Sequence, residues 1–300
     1  MHLPGNIRIG TAGWSYSDWV GKVYPRLRPR GFHQASYLAR YFDALEINTS
    51  FYRPVRPEHA RLWASRVAWS QRFLFTAKLH RAFTHERNPG DDDERAFRAM
   101  ADVLMESGRL GAVLAQFPWS FKHTGENRAY VAALLERLRD YPMVVEMRHG
   151  DWLSPVFLDL LREHGAGFCN IDQPTLSHGL EPSAVVTGPV GYIRLHGRNY
   201  HSWFKGGDSE SRHERYNYLY PPGELEPWKK RAEQVAEQAK ETYVIANNHY
   251  QGKAAANALE LISMLLGEPV EAPQPLVAAY PDLKPFVIAS APLQPELFTT

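Results

Sequence analysis

Short apolar runs recur along the chain, and amphipathic stretches fill the gaps between them. Eight runs have the length of buried strands: residues 7–10, 44–47, 73–78, 112–116, 143–147, 167–171, 190–195 and 242–246. Seven stretches carry helical apolar spacing: 34–41, 57–67, 91–107, 126–141, 155–164, 227–241 and 253–266. Ser154-Pro155 reads as an N-cap followed by proline at the first helical position, and Gly165 stands where a C-terminal glycine is expected. Alternating strand and helix implies a parallel sheet, and eight units favour closure into an α/β architecture, the TIM (β/α)8 barrel, as a single domain. The gap between the sixth and seventh strands shows no clear helix.

Beyond Gly267 the pattern changes. Seven prolines from Pro269 to Pro295 interrupt any helical period. The expected organisation is a barrel domain over residues 1–267 and a proline-rich C-terminal extension over 268–300. The extension is read as an extended tail laid over the barrel, or as partly disordered, with Tyr280, Phe286, Val287 and Ile288 favouring at least partial packing.

Strand parity assigns side chains to the lumen. Alternate residues of a strand face opposite ways, and a charged group facing the apolar helix layer is costly. Glu46 shares a face with Asn48, Lys78 with His80, Glu146 with Arg148, and Asn170 with Asp172. Arg194, His196 and Arg198 share one parity, Gln116 ends the fourth strand, and Asn247 and Asn248 end the eighth. All these strand ends are read as facing an upper lumen, where barrel active sites are built, with no ionisable groups at the strand starts. The loops above add aromatics: Trp14, Tyr16 and Trp19, then Phe51 and Tyr52. Residues 197–223 form a long, basic, aromatic segment with the character of a lid.

Composition narrows the setting. Lys plus Arg number 34 and Asp plus Glu 33, a balance without the basic excess of a nucleic-acid-binding chain. Cys169 is the only cysteine, so no intramolecular disulfide forms. No basic segment followed by an apolar one opens the chain, and no apolar run approaches the roughly 18 residues of a membrane span. The expected compartment is the cytoplasm.

Several strings carry a family resemblance. Ile9-Gly10-Thr11-Ala12-Gly13-Trp14-Ser15-Tyr16, then Trp19 and Tyr24-Pro25, resembles the opening of the YecE-like family, also called domain of unknown function 72. Glu46-Ile47-Asn48-Thr49-Ser50-Phe51-Tyr52-Arg53 resembles its second block, and Phe75-Thr76-Ala77-Lys78 with Thr84-His85 its third. Gln116-Phe117-Pro118-Trp119-Ser120-Phe121, Glu146-Met147-Arg148-His149, Tyr192-Ile193-Arg194-Leu195-His196-Gly197-Arg198 and Asn247-Asn248-His249-Tyr250-Gln251-Gly252 continue the match. Ala12 and Trp119 depart from the serine and proline expected there. The resemblance spans residues 7–266 and implies a TIM barrel. It supplies no reaction.

Three readings of the pocket stay open. The first is an enzyme, a hydrolase or lyase, on a small anionic substrate bearing phosphate or carboxylate. Glu46, Lys78, Glu146, Asp172 and His196 are its candidate catalytic groups. Trp14, Asn48, Tyr52, His80, Gln116, Arg148, Arg194, Arg198, Asn247 and Asn248 are its candidate binding groups. A Schiff base on Lys78 is disfavoured here, because neighbouring carboxylates are expected to hold the amine charged. The second reading is metal-assisted phosphodiester hydrolysis on nucleic acid, with Glu46, Glu146, Asp172, His80 and His196 as ligands. Lys78, Arg148 and Arg194 in the same lumen, and the balanced charge, weigh against it. The third is a non-catalytic module binding a small anion or nucleotide. No phosphate-loop, dinucleotide or zinc motif is present, so the sequence assigns no cofactor and no metal.

Overall fold

The computed structural model describes residues 3, 5–174, 178–200 and 214–291. Eight parallel strands close in sequence order into one barrel: β1 (Ile7–Ala12), β2 (Ala44–Ile47), β3 (Leu74–Lys78), β4 (Leu110–Gln116), β5 (Met143–Glu146), β6 (Gly167–Asp172), β7 (Val190–Leu195) and β8 (Glu241–Ala246). This is a single-domain TIM barrel. The outer layer holds α1 (Gln34–Leu38), α2 (Thr49–Tyr52), α3 (Pro57–Arg66), α4 (Asp91–Glu106), α5 (Gly125–Arg137), α6 (Pro155–Glu163), α7 (Pro222–Ala236) and α8 (Lys253–Leu266).

Local chemistry explains the ends of these elements. The Ser154 hydroxyl accepts from the Phe157 amide at the start of α6, and Thr124 does the same for Asn127 at the start of α5. Helix α7 begins five residues before the expected start. Pro222 takes its first turn, where a missing N–H costs nothing, and Pro227 is carried inside the helix. Close strand packing needs glycine at Gly10: a Cβ there would lie 1.7 Å from the Ala44 carbonyl oxygen of β2.

Between β6 and β7 no helix forms among the described residues. The chain is tied down by Asn170 instead, whose amide nitrogen donates to the Val185 carbonyl and whose oxygen accepts from Ser183 and the Val185 N–H. An irregular segment covers this side of the barrel because one buried side chain satisfies its backbone groups.

Residues 268–291 are more structured than an extended tail. Gly267 ends α8 in the left-handed region, at φ 72°. Then β9 (Val270–Ala272) pairs in parallel with β10 (Val287–Ala289), with α9 (Gln274–Ala279) between them. Leu276, Leu283 and Val287 are buried, Tyr280 and Phe286 are half-buried against the core, and Ile288 faces out. This unit covers the outer face of α8, which is why Ala254 to Ser263 are buried on every side. No helix among the described residues is long and apolar enough to cross a membrane.

Candidate functional site

Register decides which side chains enter the lumen. Residues opposite each other on neighbouring strands share a face. Tyr192 stands beside Cys169 and Arg194 beside Ile171, whereas Asp172 stands beside Leu195. The lumen face of β6 is therefore Cys169 and Ile171. Asn170 and Asp172 point outward, contrary to the parity expected from the sequence. Each has a polar anchor outside the barrel, so neither needs the lumen: Asn170 holds the β6–β7 connection, and Asp172 accepts two hydrogen bonds from Arg198 Nε and Nη2, both at 2.9 Å, and one from the Tyr220 hydroxyl. The strand starts are not free of charge either. Arg8 and Glu241 pair there.

Above this layer one guanidinium is clamped by two carboxylates. Arg194 donates from Nη1 to Glu146 Oε2 at 2.6 Å and from Nη2 to Glu46 Oε1 at 2.7 Å. Glu46 also accepts from the Tyr192 hydroxyl at 3.0 Å, and Tyr192 lies 2.8 Å from Thr76 Oγ1. The other Glu146 oxygen lies 3.0 Å from Arg148 Nη2 and 3.1 Å from His196 Nε2. Asn247 Nδ2 lies 2.8 Å from His196 Nδ1.

Burial and neighbouring charge set the protonation of this cluster. Burial pushes the Glu146 carboxyl up, but Arg194, His196 and Arg148 outweigh it and hold it well below the usual carboxylate range. Burial, then Arg148, bring His196 down to about 3 against the pull of Glu146, so the imidazole is neutral.

Lys78 is different. Its Nζ lies 3.9 Å from the centre of the Phe51 ring, and among the described residues it has no ion-pair partner. Burial, then Arg194, lower its pKa to about 7, with Glu146 and Glu46 only partly opposing. The expectation that carboxylates would hold this amine charged thus fails, because both glutamates are already committed to arginines.

A cleft of about 1190 Å³ opens above Lys78. Lys78, Gln116, Asn48, Asn247 and Arg194 reach it from the barrel, Trp14 from the loop after β1 and Tyr52 from the end of α2. Further lining residues stand outside the expected site set: His33, Arg53, Arg56, His59, Trp63 and His249, with Tyr16 and Tyr216, which were expected only as aromatics of the loops above. Tyr16 stacks on His249 with ring centres 4.4 Å apart, and the Tyr216 ring centre lies 4.9 Å from the same imidazole. Trp14 meets Trp63 edge-on at 5.2 Å. Tyr16 and His249 lie inside strings that carried the family resemblance. Trp63 sits in α3, where an aromatic at helical spacing reads as core.

Other expected site residues sit elsewhere. Strand β3 ends at Lys78, so His80 escapes the alternation and lies 3.6 Å from Asp93 of α4. Asn248 is buried, donating to the Tyr218 carbonyl and to Asn257. Arg198 pairs with Asp172 and Glu224. Glu46, Glu146, His196 and Arg148 bond to Arg194 or to one another beside the cleft without lining it. The five ligands of the phosphodiesterase reading therefore do not converge: Asp172 and His80 are turned away from the other three. Residues 201–213 of the lid expected at 197–223 lie outside the described residues.

The strings that build this cleft belong to a known group. A family model described as "Protein of unknown function DUF72" matches residues 8–279. The chain belongs to the DUF72 family. That match runs past Gly267 into α9. UPF0759 protein YunF of Bacillus subtilis is 30% identical over 274 residues, covering 86% of this chain and 94% of that protein. A DUF72 crystal structure from Thermotoga maritima superposes with a TM-score of 0.72 at 32% identity, covering 87% of this chain and 99% of that one. A second, from Enterococcus faecalis V583, has a TM-score of 0.74 at 27% identity, covering 88% and 96%. DUF72 membership thus agrees with the barrel on both sequence and shape.

Proposed function

We propose that this DUF72 barrel is an enzyme acting on a small anionic molecule, and that Lys78 is the group presented to it. One observation carries the reading. Among the described residues, the lumen cations Arg148 and Arg194 pair with Glu146 and Glu46, whereas Lys78 at the cleft floor has no ion-pair partner. A buried cation without a counter-ion is costly, and a ligand anion would supply one. Side-chain amides of Asn48, Gln116 and Asn247 offer further donors, with the exposed Arg53 and Arg56 at the rim. The lowered pKa suits proton exchange near neutrality. The cleft also exceeds what a bare inorganic anion fills, so the substrate is an organic acid or phosphate ester.

A thermal-shift panel of phosphorylated and carboxylated metabolites beside their neutral analogues tests this. A ligand at 100 times its Kd stabilises by about 2.7 kcal/mol. Anionic members should raise the Tm of the wild type and lose that effect in Lys78→Met. Equal shifts from neutral analogues, or none from any anion, would overturn the reading.

A further inference from the structure

We propose that Lys78 is a covalent nucleophile that forms an imine with a carbonyl compound carrying a carboxylate or phosphate. This deepens the anion-site reading and rests on it. Lysines that serve this way need an amine that is desolvated, free of a carboxylate clamp and open to a ligand from one side. Lys78 meets each condition by geometry. Its residue is 9% exposed, and what is exposed faces the cleft. The Phe51 ring covers it at 3.9 Å, an aromatic face that accepts no proton and forms no competing hydrogen bond. The two carboxylates nearest in charge, Glu46 and Glu146, are turned to Arg194 at 2.7 and 2.6 Å. Arg194 is thereby held as a fixed cation near the amine, and together with burial it favours the neutral, nucleophilic form.

The charge relation of the site survives the step. The ammonium first gives up a proton to water in the cleft. The amine lone pair attacks the carbonyl carbon, the C–N bond forms, and the C=O π pair moves to oxygen, which takes a proton. The carbinolamine nitrogen then passes one proton through cleft water to the hydroxyl, which leaves as water while the freed nitrogen lone pair forms the second C–N bond. Overall, one ammonium and one carbonyl become one protonated imine and one water, with no oxidant or reductant. A single positive charge faces the ligand's own anion before and after, so the ligand serves as the counter-ion that the protein omits.

Its aromatic wall fits a ligand longer than a two-carbon acid. Tyr16 is fixed against His249 and by its hydroxyl donating to the Ala12 carbonyl at 2.6 Å. That wall gives the remainder of the ligand a rigid apolar face.

Glyoxylate, an aldehyde bearing a carboxylate, is the probe. The folded full-length chain is incubated with it at pH 7 in the presence of cyanoborohydride, which reduces imines to stable secondary amines, and labelled lysines are located by peptide mass spectrometry. Lys78 should label about tenfold or more faster than exposed lysines such as Lys230 and Lys240, since far more of it is neutral at that pH. Excess inorganic phosphate should slow Lys78 alone. Surface labelling with Lys78 untouched overturns the imine, and if anions still raise the Tm in that case the anion site stands without it. Selective labelling of Lys78 that phosphate leaves unchanged, with no anion-induced Tm shift, sinks the anion site and keeps the nucleophile. The measurement is made on wild-type protein, so it does not depend on a variant folding.

Discussion

The Lys78 ammonium faces the Phe51 ring at 3.9 Å, while its neighbours Glu46 and Glu146 are both bonded to Arg194. Burying that charge costs stability whenever the amine is protonated. Unfolded, the amine titrates near 10.5; folded, near 7. Between those values the unfolded chain binds the extra proton, so stability rises with pH across that window, and the penalty is complete below pH 7. Lys78→Met should therefore be more stable than the wild type by about 2–4 kcal/mol at pH 6, with the gain shrinking toward pH 10.5. Urea midpoints at a series of pH values measure this. A variant less stable than the wild type at pH 6 would contradict it.

Glu146 should be the opposite case. It is fully buried and serves Arg194, Arg148 and His196 together. Glu146→Gln leaves buried guanidinium charge without its partner and should cost about 3–5 kcal/mol by chemical denaturation. A loss below 1 kcal/mol would mean that the clamp contributes little to the fold.

His196 makes the lumen sensitive to acid. Its folded pKa of about 3 lies far below the unfolded 6.5. The unfolded chain takes up a proton that the folded chain refuses, so stability falls as pH drops from 6.5 toward 3. Between pH 6.5 and 4.5 this amounts to about 2–3 kcal/mol. His196→Gln should show that much less loss over the same interval.

Anion binding should be linked to a proton. A ligand anion favours protonated Lys78, so above pH 7 the site must take up a proton as it binds. The Kd of an anionic ligand should rise about tenfold per pH unit above 7. Calorimetry in two buffers of different ionisation enthalpy would detect the uptake, and a pH-independent Kd between 7 and 9 would exclude Lys78 from the contact.

Asp172 serves the loop after β7 rather than the cleft. It holds Arg198 and Tyr220, and the Tyr220 hydroxyl in turn accepts from the Gly197 amide at 2.8 Å. Asp172→Asn should lower stability by about 2–3 kcal/mol while leaving glyoxylate labelling of Lys78 unchanged.

Much of this barrel was legible in the sequence. All eight expected strands overlap the observed ones, because apolar runs of strand length bounded by turn residues have few other uses. Parity located Glu46, Lys78, Glu146, Arg194 and His196 correctly in the lumen. It failed at β6, where polarity alone does not say which side offers a partner: Asn170 and Asp172 satisfy themselves outside, and Cys169 takes the lumen. It failed at His80 because the strand had already ended. The cleft walls were hidden for another reason. Trp63 and His59 belong to α3, and only the packing of that helix beside Trp14 brings them to the mouth.

The account turns on Lys78 being a ligand-facing amine that is largely neutral just above physiological pH. Brief exposure of the folded protein to acetic anhydride across a pH series, with Lys78 modification quantified by peptide mass spectrometry, measures this directly. The account predicts half-maximal reactivity near pH 7 and slowing by phosphate. Reactivity that rises only near pH 10.5, as for an exposed lysine, would contradict it.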